Sequence, residues 1–94
     1  MFKDLNPLLH SQLRLAIVSF LVTKGSSDFK NLKEITKATA GNLSVQLKKL
    51  EEAKYIVIKK GYKDNYPHTS VAITKFGIEA FEDYVEAIKK YIGN

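Results

Sequence analysis

Leu43, Leu47 and Leu50 recur at intervals of four and three residues, which stacks them in one narrow helical stripe and leaves Asn42, Val45, Lys48 and Lys49 on the far side. The spacing predicts a helix from about Asn42 to Ala53, with leucines toward the body and amide, hydroxyl and ammonium groups outward. Upstream, Asn6-Pro7 is a helix-start signal and Lys24-Gly25 a stop, so a first helix is predicted over Pro7 to Thr23. Leu9, Leu13, Ala16, Ile17 and Phe20 share one of its sides, and Leu8, Leu15, Val18 and Val22 share the opposite one. A helix apolar all round needs cover all round. Ser26-Ser27-Asp28 reads as a turn and Phe29 as an anchor. A short second helix starts near Asn31, and Thr39-Ala40-Gly41 supplies the tight turn into the leucine-striped helix.

Beyond Lys54 the pattern changes period. Tyr55 to Lys60 and Ser70 to Thr74 are β-branched and aromatic and read as two strands, joined by a polar loop, Gly61 to Thr69, that carries Lys63 and His68. Thr74 then caps a long helix, Lys75 to Ile92, whose Ile78, Phe81, Tyr84, Val85, Ile88, Tyr91 and Ile92 form one broad stripe before Gly93. The expected fold is α+β and mostly helical, one domain over residues 1–94, with a two-stranded hairpin and a long C-terminal helix.

At 94 residues the chain suits a binding module better than a multi-step enzyme. Its formal charge of +5 is concentrated in the middle, where the stretch from Asp28 to Ala72 carries nine Lys against five acids. Clustered on the helix just described, that basicity favours a polyanionic partner over a merely solvated surface. The absence of cysteine excludes disulfides and thiolate metal sites, and fits a reducing cytoplasm. The apolar stretch Leu13 to Val22 is interrupted by Arg14 and Ser19, so neither a membrane span nor a signal peptide is expected. His10 and His68 stand far apart without a partnering Cys or a helically spaced Glu, and no nucleophile–base pairing or Gly-rich phosphate cradle occurs. No metal, cofactor or catalysis is therefore expected.

The element order is that of a winged helix-turn-helix, and the segments HSQLRLAIVSFL, FKNLKEIT, GNLSVQLKKLEEAKYIV and VAITKFGIEAF are similar to winged-helix transcriptional regulators of the MarR and ArsR kind. The resemblance implies double-stranded DNA as partner, a homodimer, the leucine-striped helix in the major groove and the hairpin as a wing. It places Asn42, Ser44, Val45, Gln46 and Lys48 or Lys49 at DNA-contacting positions, and Lys60 and Lys63 would reach the DNA backbone if the hairpin is a wing. Related wings carry an arginine near the tip, whereas the only arginine here is Arg14 in the first helix, so a wing lysine would act as a point-charge substitute.

Each of these residues also has a plain structural role open to it. Lys48 and Lys49 pair equally well with Glu52 and Glu51, and Asn42 and Ser44 suit a helix start. Val45 has no folding reason to lie opposite the leucines but suits a thymine methyl, and Gln46 suits an adenine edge. Leu8, Leu15, Val18 and Val22 of the first helix, with Tyr84, Ile88, Tyr91 and Ile92 of the last, are the expected dimer surface, because a helix about 27 Å long outruns the body of so small a domain. Two other functions fit the same pattern: a winged-helix protein-interaction module, and a nucleic-acid binder without sequence preference. No polar residue inside the apolar stripes marks an effector pocket.

Overall fold

The computed structural model describes residues 2–93. In chain order the elements are α1 (Gln12–Lys24), β1 (Ser26–Asp28), α2 (Phe29–Thr36), α3 (Ala40–Glu52), β2 (Ile56–Lys63), β3 (Tyr66–Ile73) and α4 (Lys75–Tyr91). This is a winged helix fold, four helices on an antiparallel sheet of order β1-β3-β2.

The first helix starts later than Asn6-Pro7 signalled. Asn6 Oδ1 accepts from the backbone N–H of Leu8 (2.9 Å) and of Leu9 (3.3 Å), so Asn6 caps a single turn. The Leu8 carbonyl, which a continuous helix would give to Gln12, accepts instead from Arg14 Nε. α1 begins only after Ser11, and the break lets Leu9 enter the core with no exposed surface. Gly25, at φ 86°, closes α1 with its N–H on the Leu21 carbonyl.

Ser26 to Asp28 is a strand rather than a turn, pairing Ser27 with Val71 and Asp28 with Ser70. Asp28 ends it and caps α2, its carboxylate accepting from Asn31 N–H at 2.7 Å. The turn between α2 and α3 is made by Lys37 in the left-handed region (φ 59°), so Gly41 lies inside the first turn of α3 and not in the turn before it. Thr39 caps α3 through Asn42 N–H.

The expected loop Gly61 to Thr69 is mostly strand. The ladder runs out to Lys63 opposite Tyr66, and the chain reverses in two residues, Asp64 and Asn65, both with positive φ (52° and 67°). Positive φ at both central positions is the tight primed turn whose twist matches a hairpin, and Asp and Asn tolerate it. The molecule measures 53 × 25 × 21 Å, elongated for its length.

Leu9, Ile17, Leu21, Leu32, Leu43, Leu47, Leu50, Ile56 and Val71 form the core, drawing on every helix but α4, which adds Tyr84. Thr74 caps α4 while its hydroxyl donates to the Lys54 and Tyr55 carbonyls. Gly77 is required next to it, since a Cβ there would collide with the Tyr55 carbonyl.

Two residues expected at the dimer surface belong to this core instead. Val18 is fully buried, because α1 is packed in its own chain against α2, α3, α4 and the sheet. Tyr84 is 6% exposed, its hydroxyl hydrogen-bonded to His10 Nδ1 at 2.9 Å. The far end of α4 is also less bare than expected: Tyr91 OH donates to the Lys3 carbonyl and its ring lies 4.9 Å from that of Phe2.

Candidate nucleic-acid interface

Burial of Leu43, Leu47 and Leu50 fixes which way every other residue of α3 points. Val45 projects outward, 51% exposed, among the exposed Asn42, Ser44, Lys48 and Lys49. The two flanks of that face differ. On one, Ser44, Lys48 and Glu51 wall a groove of about 730 Å³ whose other wall is Lys60 and Thr69 of the hairpin, over a floor of Leu47 and Ile58. Lys48 and Lys60 therefore address one groove from two elements.

On the other flank a half-buried Gln46 is held from both ends. Arg14 Nη1 donates to its Oε1 at 2.5 Å, and its Nε2 donates to Asn42 Oδ1 at 2.9 Å. Helical spacing puts Lys49 on this flank, three residues beyond Gln46. The sequence places Arg14 in the first helix, away from the wing, and assigns it no contact with α3. Only its uniqueness in the sequence singled it out, since contact between α1 and α3 is tertiary.

Strand alternation separates the two wing lysines. Lys60 shares a face with Ile58, whereas Lys63 lies on the opposite face with Lys59, opposite Tyr66 in the ladder. There it belongs with His68 and Asp28, whose Nε2 and Oδ2 lie 3.6 Å apart. The Asp28 carboxyl is held below its ordinary value chiefly by the Asn31 N–H, against a raising effect of burial, with help from His68 and the Lys63 charge. Tyr62 and Tyr66 stand out near the hairpin tip at 80% and 74% exposure, on a segment whose turn-forming residues present it as a loop in the sequence.

A larger groove, about 1170 Å³, runs between the N-terminal segment and α4. It carries Asp4, Glu79, Glu82, Asp83 and Glu86 against Lys3 and Lys90, the wrong sign for a polyanion. Sign, not size, selects the α3 face. Among the described residues no group of three or more side chains could hold a metal, and no helix is long and apolar enough to cross a membrane.

Known proteins share the fold. An uncharacterized protein of Methanocaldococcus jannaschii is 35% identical over 81 residues, covering 86% of this chain and 88% of its own. The solved transcriptional regulator homologue of Pyrococcus horikoshii superposes with a TM-score of 0.85 at 29% identity, over 92% of this chain and 85% of that one. The S. aureus MepR–DNA complex shares the fold, with a TM-score of 0.72 at 15% identity over 90% and 69% of the two chains. Residues 13–92 match the winged helix DNA-binding domain family, and the chain belongs to that family, with the fold of MarR-like transcriptional regulators.

Proposed function

We propose that this single domain is a cytoplasmic, homodimeric repressor that binds a roughly palindromic duplex site, α3 entering the major groove and the β2–β3 hairpin following the flanking backbone. The observation that carries the reading is the groove between α3 and the hairpin. Leucines fasten α3 to the body, so Val45 and Ser44 face outward, while Lys48 and Lys60 converge on a space that a phosphate backbone would fill. Asn42, Gln46 and Lys49 form the opposite edge of the same face, and Lys63 serves the backbone from the far side of the ribbon.

The dimer surface would combine what the chain leaves uncovered at the end of α4, Tyr91 at 49% and Ile92 at 69% exposure, with the half-buried Leu8, Leu15, Val22 and Ile88. A two-fold axis there would set two α3 helices one DNA turn, about 34–36 Å, apart.

Selection of bound sites from random duplex DNA tests specificity, and sedimentation equilibrium of the wild type and of Tyr91→Glu plus Ile92→Glu tests the dimer. A recurrent palindrome and a wild-type dimer that the variant dissociates are expected. Binding without a preferred site would reduce the protein to a nonspecific binder, and a wild-type monomer at tens of micromolar would remove the two-fold arrangement.

A further inference from the structure

Gln46 and Asn42 sit on the N-terminal half of α3, where a groove-reading helix touches bases, yet neither amide is free. A guanidinium has only donors, so the group facing Arg14 must be the Gln46 oxygen, and the Gln46 amine must be the group that faces Asn42. Asn42 in turn presents its own oxygen to Gln46, and its side chain is exposed, with the amine not used in that bond. Arg14 is itself fixed, its Nε donating to the Leu8 carbonyl at 2.6 Å, the carbonyl exposed by the break before α1. No carboxylate lies within salt-bridge distance of Arg14 among the described residues, so its full positive charge acts on the Gln46 oxygen.

From this chain of bonds we infer that Arg14 is a positioning residue: it sets the hydrogen-bond polarity of Gln46 and Asn42, so that Asn42 meets DNA as a donor and selects acceptor atoms, guanine O6 and N7 or a phosphate oxygen. The inference rests on the DNA-binding reading above. Bidentate reading of adenine needs an amide oxygen and an amide amine together, and in Gln46 both are engaged within the protein.

The test uses Arg14→Met, Gln46→Glu and Asn42→Ala. In the proton–nitrogen spectrum of the DNA-free protein, Arg14→Met should move the side-chain amide signals of both Gln46 and Asn42; unmoved signals overturn the chain of bonds whether or not DNA binds. In site selection, Arg14→Met should shift one position toward adenine by about ten-fold, with the salt slope unchanged, because the Gln46 oxygen is then released to accept from the adenine amine while the second N–H of its amide, not used by Asn42, faces N7. A salt slope lower by about 1 with unchanged preference would instead make Arg14 a phosphate ligand, and a lower melting temperature with unchanged preference would make it structural only; either overturns the proposal. Gln46→Glu keeps the Arg14 partner but removes the donor to Asn42, and should lose the preference at the Asn42 position while still folding. Asn42→Ala separates the sources: loss of one guanine preference marks a base edge, uniform weakening marks a phosphate, and wild-type affinity and preference overturn the assignment. Failure of the wild type to bind duplex DNA would sink the proposed function, while the spectrum would still judge the Arg14 chain.

Discussion

α3 and the β2–β3 hairpin bring lysines to one groove but are held in opposite ways. α3 is pinned by leucines that are 0–2% exposed, capped by Thr39, tied to the residue just before β2 by Tyr55 N–H on the Leu50 carbonyl, and braced from α1 by Arg14. The hairpin is anchored only at its base, by Ile56, Ile58 and Val71, and from Lys59 to Pro67 every residue is exposed. A base contact tolerates little displacement, whereas a phosphate contact works over a range of geometries. The rigid element is the one equipped to read sequence, and the pliant one to follow the backbone.

The sharpest way to break this comparison is to truncate one large side chain in each region. Leu47→Ala should cost about 2–5 kcal/mol of stability, since it empties a fully packed site beneath α3. Tyr62→Ala on the hairpin should change it by less than about 0.5 kcal/mol. Denaturant unfolding of both variants checks this, and comparable losses would mean that the hairpin is as firmly packed as α3.

The same contrast explains what could be read from the chain alone. The leucine stripe and the Thr74 cap are legible because each acts within a few residues, whereas the need for Gly77 comes from the Tyr55 carbonyl, far away in the chain. Ser26 to Asp28 was read as a turn because a three-residue strand has too short a pattern to show alternation, and only its pairing with β3 makes it a strand. Gly61, Pro67 and Asn65 suggested a long loop, but the ladder continued past Gly61 and Pro67, and Asn65 alone, with Asp64, makes the turn. The sequence points to Gly41 for the inter-helix turn, but Lys37 holds the positive φ, a position that lysine rarely occupies and that no local signal gives away. Val18 and Tyr84 were assigned outward because helical spacing gives faces, not which face a neighbour covers. Arg14 reaches Gln46 across 32 residues, beyond any local pattern.

If α3 and the hairpin share one phosphate track, Lys48→Ala and Lys60→Ala should each lower the salt slope of DNA binding by about 1, with additive effects in the double variant. Lys63→Ala, on the other face of the ribbon, should lower it less. Titrations at several salt concentrations measure this, and an unchanged slope for Lys60→Ala would leave the hairpin without a role in binding.

Gly41 separates folding from recognition within α3. A Cβ there meets nothing within 4 Å, so Gly41→Ala should stabilise the helix by about 0.5–1 kcal/mol. The same methyl group lies on the outward first turn, beside Val45 in helical projection, so it should weaken DNA binding if the backbone is closely approached. A gain in both stability and affinity would mean that DNA stands away from this turn.

The smallest effect is expected where the two regions are joined. Asp28 caps α2, and its carboxylate also meets His68 on β3, so this contact ties the hairpin base to the helix-turn-helix. The carboxyl is lowered from 3.8 in the fold, so its contribution is complete above that value and is lost as pH falls through the lower folded value. His68→Ala removes the second partner but leaves the Asn31 N–H, the larger influence, in place. With both side chains more than a third exposed, the change should stay below about 1 kcal/mol. The melting temperature of His68→Ala should therefore fall less steeply with acidification than that of the wild type, while amide exchange of Gly61 to Thr69 quickens and that of α3 does not. Superimposable acid profiles would show that the Asp28–His68 contact adds nothing to stability, and exchange that quickens equally in α3 would show that the hairpin and α3 are not held independently.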